Sequence, residues 1–163
     1  MNCYVAALEE QSLVIMLKNL RPDVLIIGCT PDSIRSISEQ LTGERYVSYC
    51  CHDREEAIAK SRQISPACVI VDLQNKCTAC LEAAHLFREL LTPDQPLIAI
   101  IQDTDDEEVV QSAFSAGFDD VMELYKHPKS HLFAHRVRRL IENTTRRLQE
   151  RDQQQDLSDA IRE

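Results

Sequence analysis

The chain has 163 residues, 44% of them hydrophobic, and carries a formal net charge of −9. This is enough apolar content for one packed domain and an extension, and the acidic balance argues against a general nucleic-acid or anionic-membrane surface. With only 3 glycines and no G-x-G-x-x-G or Walker-type run, a glycine-rich phosphate loop is excluded.

In chain order, residues 5–20 carry Leu8, Leu13, Met16, Leu17 and Leu20 near helical spacing. They predict a helix apolar over a wide arc, suited to packing between bodies, as in a dimer. Arg21-Pro22 breaks it. Val24-Leu25-Ile26-Ile27, bounded by Gly28, predicts strand 1. Thr30 as N-cap and Pro31 in the first turn start helix 1, over 31–42. Tyr46-Val47-Ser48-Tyr49-Cys50 alternates and predicts strand 2, at an edge. Asp53 caps helix 2, over 54–64, with Ala57, Ile58 and Ile64 inward.

Ala67-Cys68-Val69-Ile70-Val71-Asp72-Leu73 is a continuous apolar run that ends on one carboxylate. Such a run predicts strand 3, buried on both faces with helices above and below. Asp72 then stands at the carboxyl end, where open parallel sheets place their ligand sites. Helix 3 is predicted over 78–91, with Leu81, Ala84, Leu86, Leu90 and Leu91 apolar, and Pro93 and Pro96 mark the following turn. Leu97-Ile98-Ala99-Ile100-Ile101 predicts a second fully buried strand, strand 4. Helix 4 spans 105–116 and stops at Gly117 as C′ residue. Asp120-Val121-Met122-Glu123-Leu124 predicts a weaker strand 5.

Helix 5 begins near His131, with Leu132, Val137, Leu140, Ile141 and Leu148 as its apolar face and no stop signal. About 10–14 residues cover a sheet of this size, so the remainder must project. The alternation predicts an α/β fold: a doubly wound five-stranded parallel sheet. The expected organisation is an N-terminal helix in 1–22, the main domain in 23–145 and a projecting linker helix in 146–163.

Three stretches carry a family resemblance. Val24-Leu25-Ile26-Ile27-Gly28-Cys29-Thr30-Pro31 resembles the first strand of response-regulator receiver domains, and Cys68-Val69-Ile70-Val71-Asp72-Leu73 resembles their phosphoacceptor strand. Ser115-Ala116-Gly117-Phe118-Asp119-Asp120 is similar to their helix 4 to strand 5 junction. The resemblance covers about residues 23–142. It implies a flavodoxin-like sheet of strand order 2-1-3-4-5.

Receiver domains accept a phosphoryl group from a histidine kinase on the residue matching Asp72. The resemblance implies Mg²⁺ on an acidic pair after strand 1, but the matching positions are Gly28 and Cys29, which offer no hard oxygen ligand. Asp32, one turn into helix 1, is expected to face away. Ile101, or Gln102 after a register slip, matches the family's hydroxyl-bearing residue on strand 4, and isoleucine cannot hydrogen-bond an oxyanion. Leu124 matches the family's lysine, with Lys126 two residues on, and Val121 matches its aromatic switch position. One missing oxyanion donor alone costs about 3 kcal/mol of transition-state stabilisation. The expectation is therefore a degenerate, pseudo-receiver site, with Asp72 a strand-end carboxylate satisfied by loop amides. No catalytic residue, cofactor or metal is expected.

Two other readings stand beside it. One is a working receiver phosphorylated on Asp72. The other is a thiol redox or Zn²⁺ sensor through Cys29, Cys77 and Cys80, since thiolates suit zinc and C-x-x-C can be a redox pair. The seven cysteines are an odd number, which suggests free thiols, and Cys50 and Cys68 are expected to be small core residues. His131 and His135 lie four apart with no third ligand evident, and the run from Asp103 to Glu108 reads as an acidic helix start.

No apolar run approaches the roughly 20 residues that span a bilayer, and the N-terminus lacks a signal peptide's positive flank. A cytoplasmic protein is expected. The chain ends mid-pattern at Ile161-Arg162-Glu163, as a piece of a longer protein would. By resemblance, helix 5 leads to an output domain such as a diguanylate cyclase, a cyclic-di-GMP phosphodiesterase, a sensor or a kinase module. The expected role is a non-enzymatic regulatory module, homodimeric through the N-terminal helix, helix 5 or both, with neither nucleic acid nor membrane as partner.

Overall fold

A computed structural model describes residues 21–28, 30–41, 46–74, 82, 84–88, 95–102, 104–124 and 131–162. The predicted N-terminal helix, Cys29, Cys77, Cys80, Lys126 and both ends of predicted helix 3 lie outside the described residues.

The elements in order are β1 (Asp23–Ile27), α1 (Pro31–Leu41), β2 (Val47–Cys51), α2 (Arg54–Ile64) and β3 (Cys68–Asp72). A helical segment at 84–88 (α3) follows, then β4 (Leu97–Ile101), α4 (Glu107–Ser115), β5 (Asp120–Glu123) and α5 (Leu132–Arg162). The five strands form one parallel sheet in the order β2-β1-β3-β4-β5. This is the flavodoxin-like topology expected.

β3 and β4 occupy central positions, and every residue of both is buried. Period-2 alternation sends their side chains into two layers. Val69, Val71, Ala99 and Ile101 pack with Ala57, Ala84, Phe87 and Ala113, on the side of α2, α3 and α4. Cys68, Ile70, Ile98 and Ile100 pack with Ile34, Ile37, Leu41, Phe133, Ala134 and Val137, on the side of α1 and α5.

The caps follow the local chemistry. Asp53 accepts a hydrogen bond from the Glu56 N–H at 2.8 Å and opens α2. Asp106 accepts from the Val109 N–H at 3.3 Å, so α4 starts at Glu107, two residues later than expected. At its end Gly117 N–H bonds to Phe114 O at 3.0 Å and Phe118 N–H to Ala113 O at 3.2 Å. Gly117 adopts φ +97°, the left-handed conformation that this helix-ending motif requires.

Two expectations are corrected. Leu132 is 58% exposed, and the domain-facing stripe of α5 runs through Phe133, Ala134 and Val137, with Leu140 and Ile141 partly buried. A 3.6-residue period through Val137 reaches Phe133 and Ala134 and leaves Leu132 outside. Cys50 is exposed and Cys51 is the buried cysteine of β2. Here β2 runs one residue further than predicted and Cys51 pairs with Ile27, so the alternation points Cys51 inward.

Candidate functional site at the carboxyl end of the sheet

The site is built where β1, β3, β4 and β5 end. Asp72 closes β3 in register with Ile100 of β4. The Leu73 N–H donates to Ile100 O at 2.7 Å, which fixes the start of the following turn. Asp72 is 1% exposed. Its Oδ1 accepts the Gln74 N–H at 3.0 Å, while its Oδ2 is buried with no hydrogen-bond partner among the described residues. Among the described residues, one loop amide, that of Gln74, bonds the carboxylate.

Gly28 continues β1 beyond the Ile27–Val71 pair and so lies alongside Asp72. A Cβ on Gly28 would stand 3.5 Å from Asp72 Cβ and 2.8 Å from Ile34 Cγ1. Thr30 caps α1 by accepting the Ser33 N–H on Oγ1 at 3.3 Å, and Ile34 N–H bonds to Thr30 O at 3.2 Å. That first turn seats Ile34 against Gly28. Asp32 is exposed and paired with Arg35 at 2.6 Å.

Ile101 is buried in the layer under α2, α3 and α4 and offers no donor. Gln102 is exposed. Leu124 is partly buried in the opposite layer, with Met122 and Phe133. Val121 is buried. The structure thus brings Asp72 and Gly28 together, and gives Ile101 and Leu124 to the two apolar layers.

The Mg²⁺ that this fold implies does not fit the described residues. The ion takes octahedral oxygen ligands and keeps several waters. Here Gly28 has no side chain, Ile34 fills the space one would occupy, and the carboxylate of Asp72 has almost no solvent contact.

Sequence reasoning missed one polar contact at this end. Glu123, the last residue of β5, accepts hydrogen bonds on Oε1 from the backbone N–H and the hydroxyl of Thr104. The acidic run 105–108 masks this pairing in the sequence, because it reads as solvated helix start.

The remaining candidates do not converge. His135 Nδ1 lies 2.8 Å from an Arg138 nitrogen, and His131 is exposed. Among the described residues no group of three or more His, Cys, Asp or Glu could hold a metal ion. Burial, reinforced by Glu56, pushes the Cys51 thiol up to about 11. Burial, reinforced by Asp119, pushes Cys68 higher still. Both are neutral thiols at pH 7, unsuited to nucleophilic or ligand roles. No described helix is long and apolar enough to cross a membrane.

No family model and no curated protein matches the sequence. Solved structures do. A response regulator from Thermotoga maritima superposes with a TM-score of 0.64 at 18% identity, over 76% of this chain and 99% of that one. The chemotaxis response regulator CheY4 of Vibrio cholerae gives 0.62 at 17% identity, over 74% and 98%. NtrX from Brucella abortus gives 0.70 at 19% identity, over 82% of this chain but 30% of that one. With the strand order, the two helical layers and the strand-end position of Asp72, these likenesses show that the chain has the fold of the response-regulator receiver domains.

Proposed function

We propose that this chain is a pseudo-receiver: a non-catalytic regulatory and dimerisation module that works in the cytoplasm and governs an output domain through α5. The observation that carries the non-catalytic part is the state of Asp72. A phosphoacceptor needs access, a cation and oxyanion donors. Asp72 is sealed and its Oδ2 has no donor among the described residues. By resemblance, Gly28, Ile101 and Leu124 match positions where the family has functional side chains.

The dimerisation part rests on α5. Its 31 residues extend about 46 Å, against about 17 Å for a five-residue strand. From Thr145 onward almost every described side chain is exposed. An isolated polar helix of that length is marginal in water, so a continuous one calls for a partner or an attached domain. Leu157 is 64% and Ile161 83% exposed, and they are neighbours on one face. A second copy on that face sets the spacing and register of whatever follows. By resemblance alone, cyclic-di-GMP turnover is one candidate output.

Sedimentation of the full chain over a range of concentrations tests the assembly part. A dimer that weakens in Leu157→Glu/Ile161→Glu supports it. A monomer at all concentrations removes it.

A further inference from the structure

We propose that Ile34 is a plug: it closes the position beside Asp72, so that this carboxylate is barred from cation binding by sterics as well as by the missing ligands. The inference rests on the pseudo-receiver reading and names the residue that enforces it.

Three observations carry it. First, the 2.8 Å from a Gly28 Cβ to Ile34 Cγ1 is closer than real Cβ contacts come, so any side chain at Gly28 requires Ile34 to move. Second, Ile34 has little freedom to do so. It is β-branched and helical, which restricts it to one favoured χ1, and it is buried among Val24, Ile26 and Ile37. The Thr30 cap holds its backbone. Third, Asp72 Cβ is 3.5 Å from the same point, so a side chain at Gly28 would stand between Ile34 and Asp72, and Asp72 itself is 1% exposed. A carboxylate restored at Gly28 would therefore have nowhere to go while Ile34 stays in place.

The test uses the full chain and Mn²⁺ as the probe, followed by the paramagnetic signal of the free ion. Gly28→Asp/Cys29→Asp should take up no Mn²⁺ at millimolar ion. The same pair with Ile34→Ala should bind it, and should lose it again on Asp72→Ala. Equal uptake with and without Ile34→Ala overturns the proposal, as does no uptake by a folded triple variant. A thermal-melting cycle covers a triple variant that does not fold. Gly28→Ala should lower the melting temperature in the parent and clearly less in Ile34→Ala; equal losses overturn the proposal. Phosphoryl uptake by the parent chain would instead remove the non-catalytic reading, so the two failures are read separately.

Discussion

The hydroxyl of Thr104 donates to Glu123 Oε1 at 2.7 Å, and the backbone N–H of the same threonine donates to the same oxygen. Glu123 pairs with Ile101 across β4 and β5, so the bond folds the loop after β4 back over the end of β5. It fixes the loop that leads to the Asp106 cap of α4. Glu123→Ala should cost about 1 kcal/mol, the usual net worth of such bonds at a partly exposed site. It should also raise hydrogen exchange at 104–110 more than elsewhere. Exchange mass spectrometry with a denaturant melt checks both.

At the opposite end of the sheet Arg88 joins three segments. Its guanidinium donates to Gly117 O at 2.8 Å and Gln95 O at 3.2 Å and pairs with Asp119, which also accepts the Leu97 N–H at 2.7 Å. Arg88→Ala removes one donor from each of these acceptors, Asp119 keeping the Leu97 N–H, and should cost about 2–3 kcal/mol. Arg136 pairs with Asp120 at 2.8 Å but is about half exposed, so Arg136→Ala should cost less than about 1 kcal/mol. Chemical denaturation of the two variants should reproduce this order.

Much of the fold was legible because β3 and β4 are unbroken apolar runs and because Pro31, Asp53 and Gly117 mark helix ends. The errors came where two residues compete for one position. Leu132 and Phe133 are both large and apolar, and only the packing of α5 against Ile34 and Ile37 selects Phe133. Cys50 and Cys51 are chemically identical, and only the register with Ile27 selects Cys51. At the site, the losses at Gly28, Ile101 and Leu124 were visible as residue types. The plug by Ile34 and the Thr104–Glu123 bond were not, because both join positions through space with no periodic signal.

The buried thiols set an alkaline limit. Cys51 rises from 9.0 to about 11 on folding, through burial first and the Glu56 carboxylate second. Below pH 9 both folded and unfolded chains hold this proton, and its contribution is fully present. Between pH 9 and 11 the unfolded chain loses it first, so stability falls as pH rises. Cys68 acts in the same direction. Cys51→Ala should flatten the decline in melting temperature over that window relative to the parent.

Asp72 Oδ2 is buried and finds no donor among the described residues. Asp72→Asn keeps an oxygen for the Gln74 N–H, so it should stay within about 1 kcal/mol of the parent. Asp72→Ala loses the bond and should be less stable by about 1 kcal/mol. Thermal melts of the three chains decide the order.

The most direct measurement is the intact mass of the full chain after incubation with Mg²⁺ and a small-molecule phosphodonor. A sealed, donor-poor Asp72 predicts no phosphoryl adduct, with parent and Asp72→Ala alike. An adduct on the parent that disappears in Asp72→Ala would contradict the account and make this chain a working phosphoacceptor.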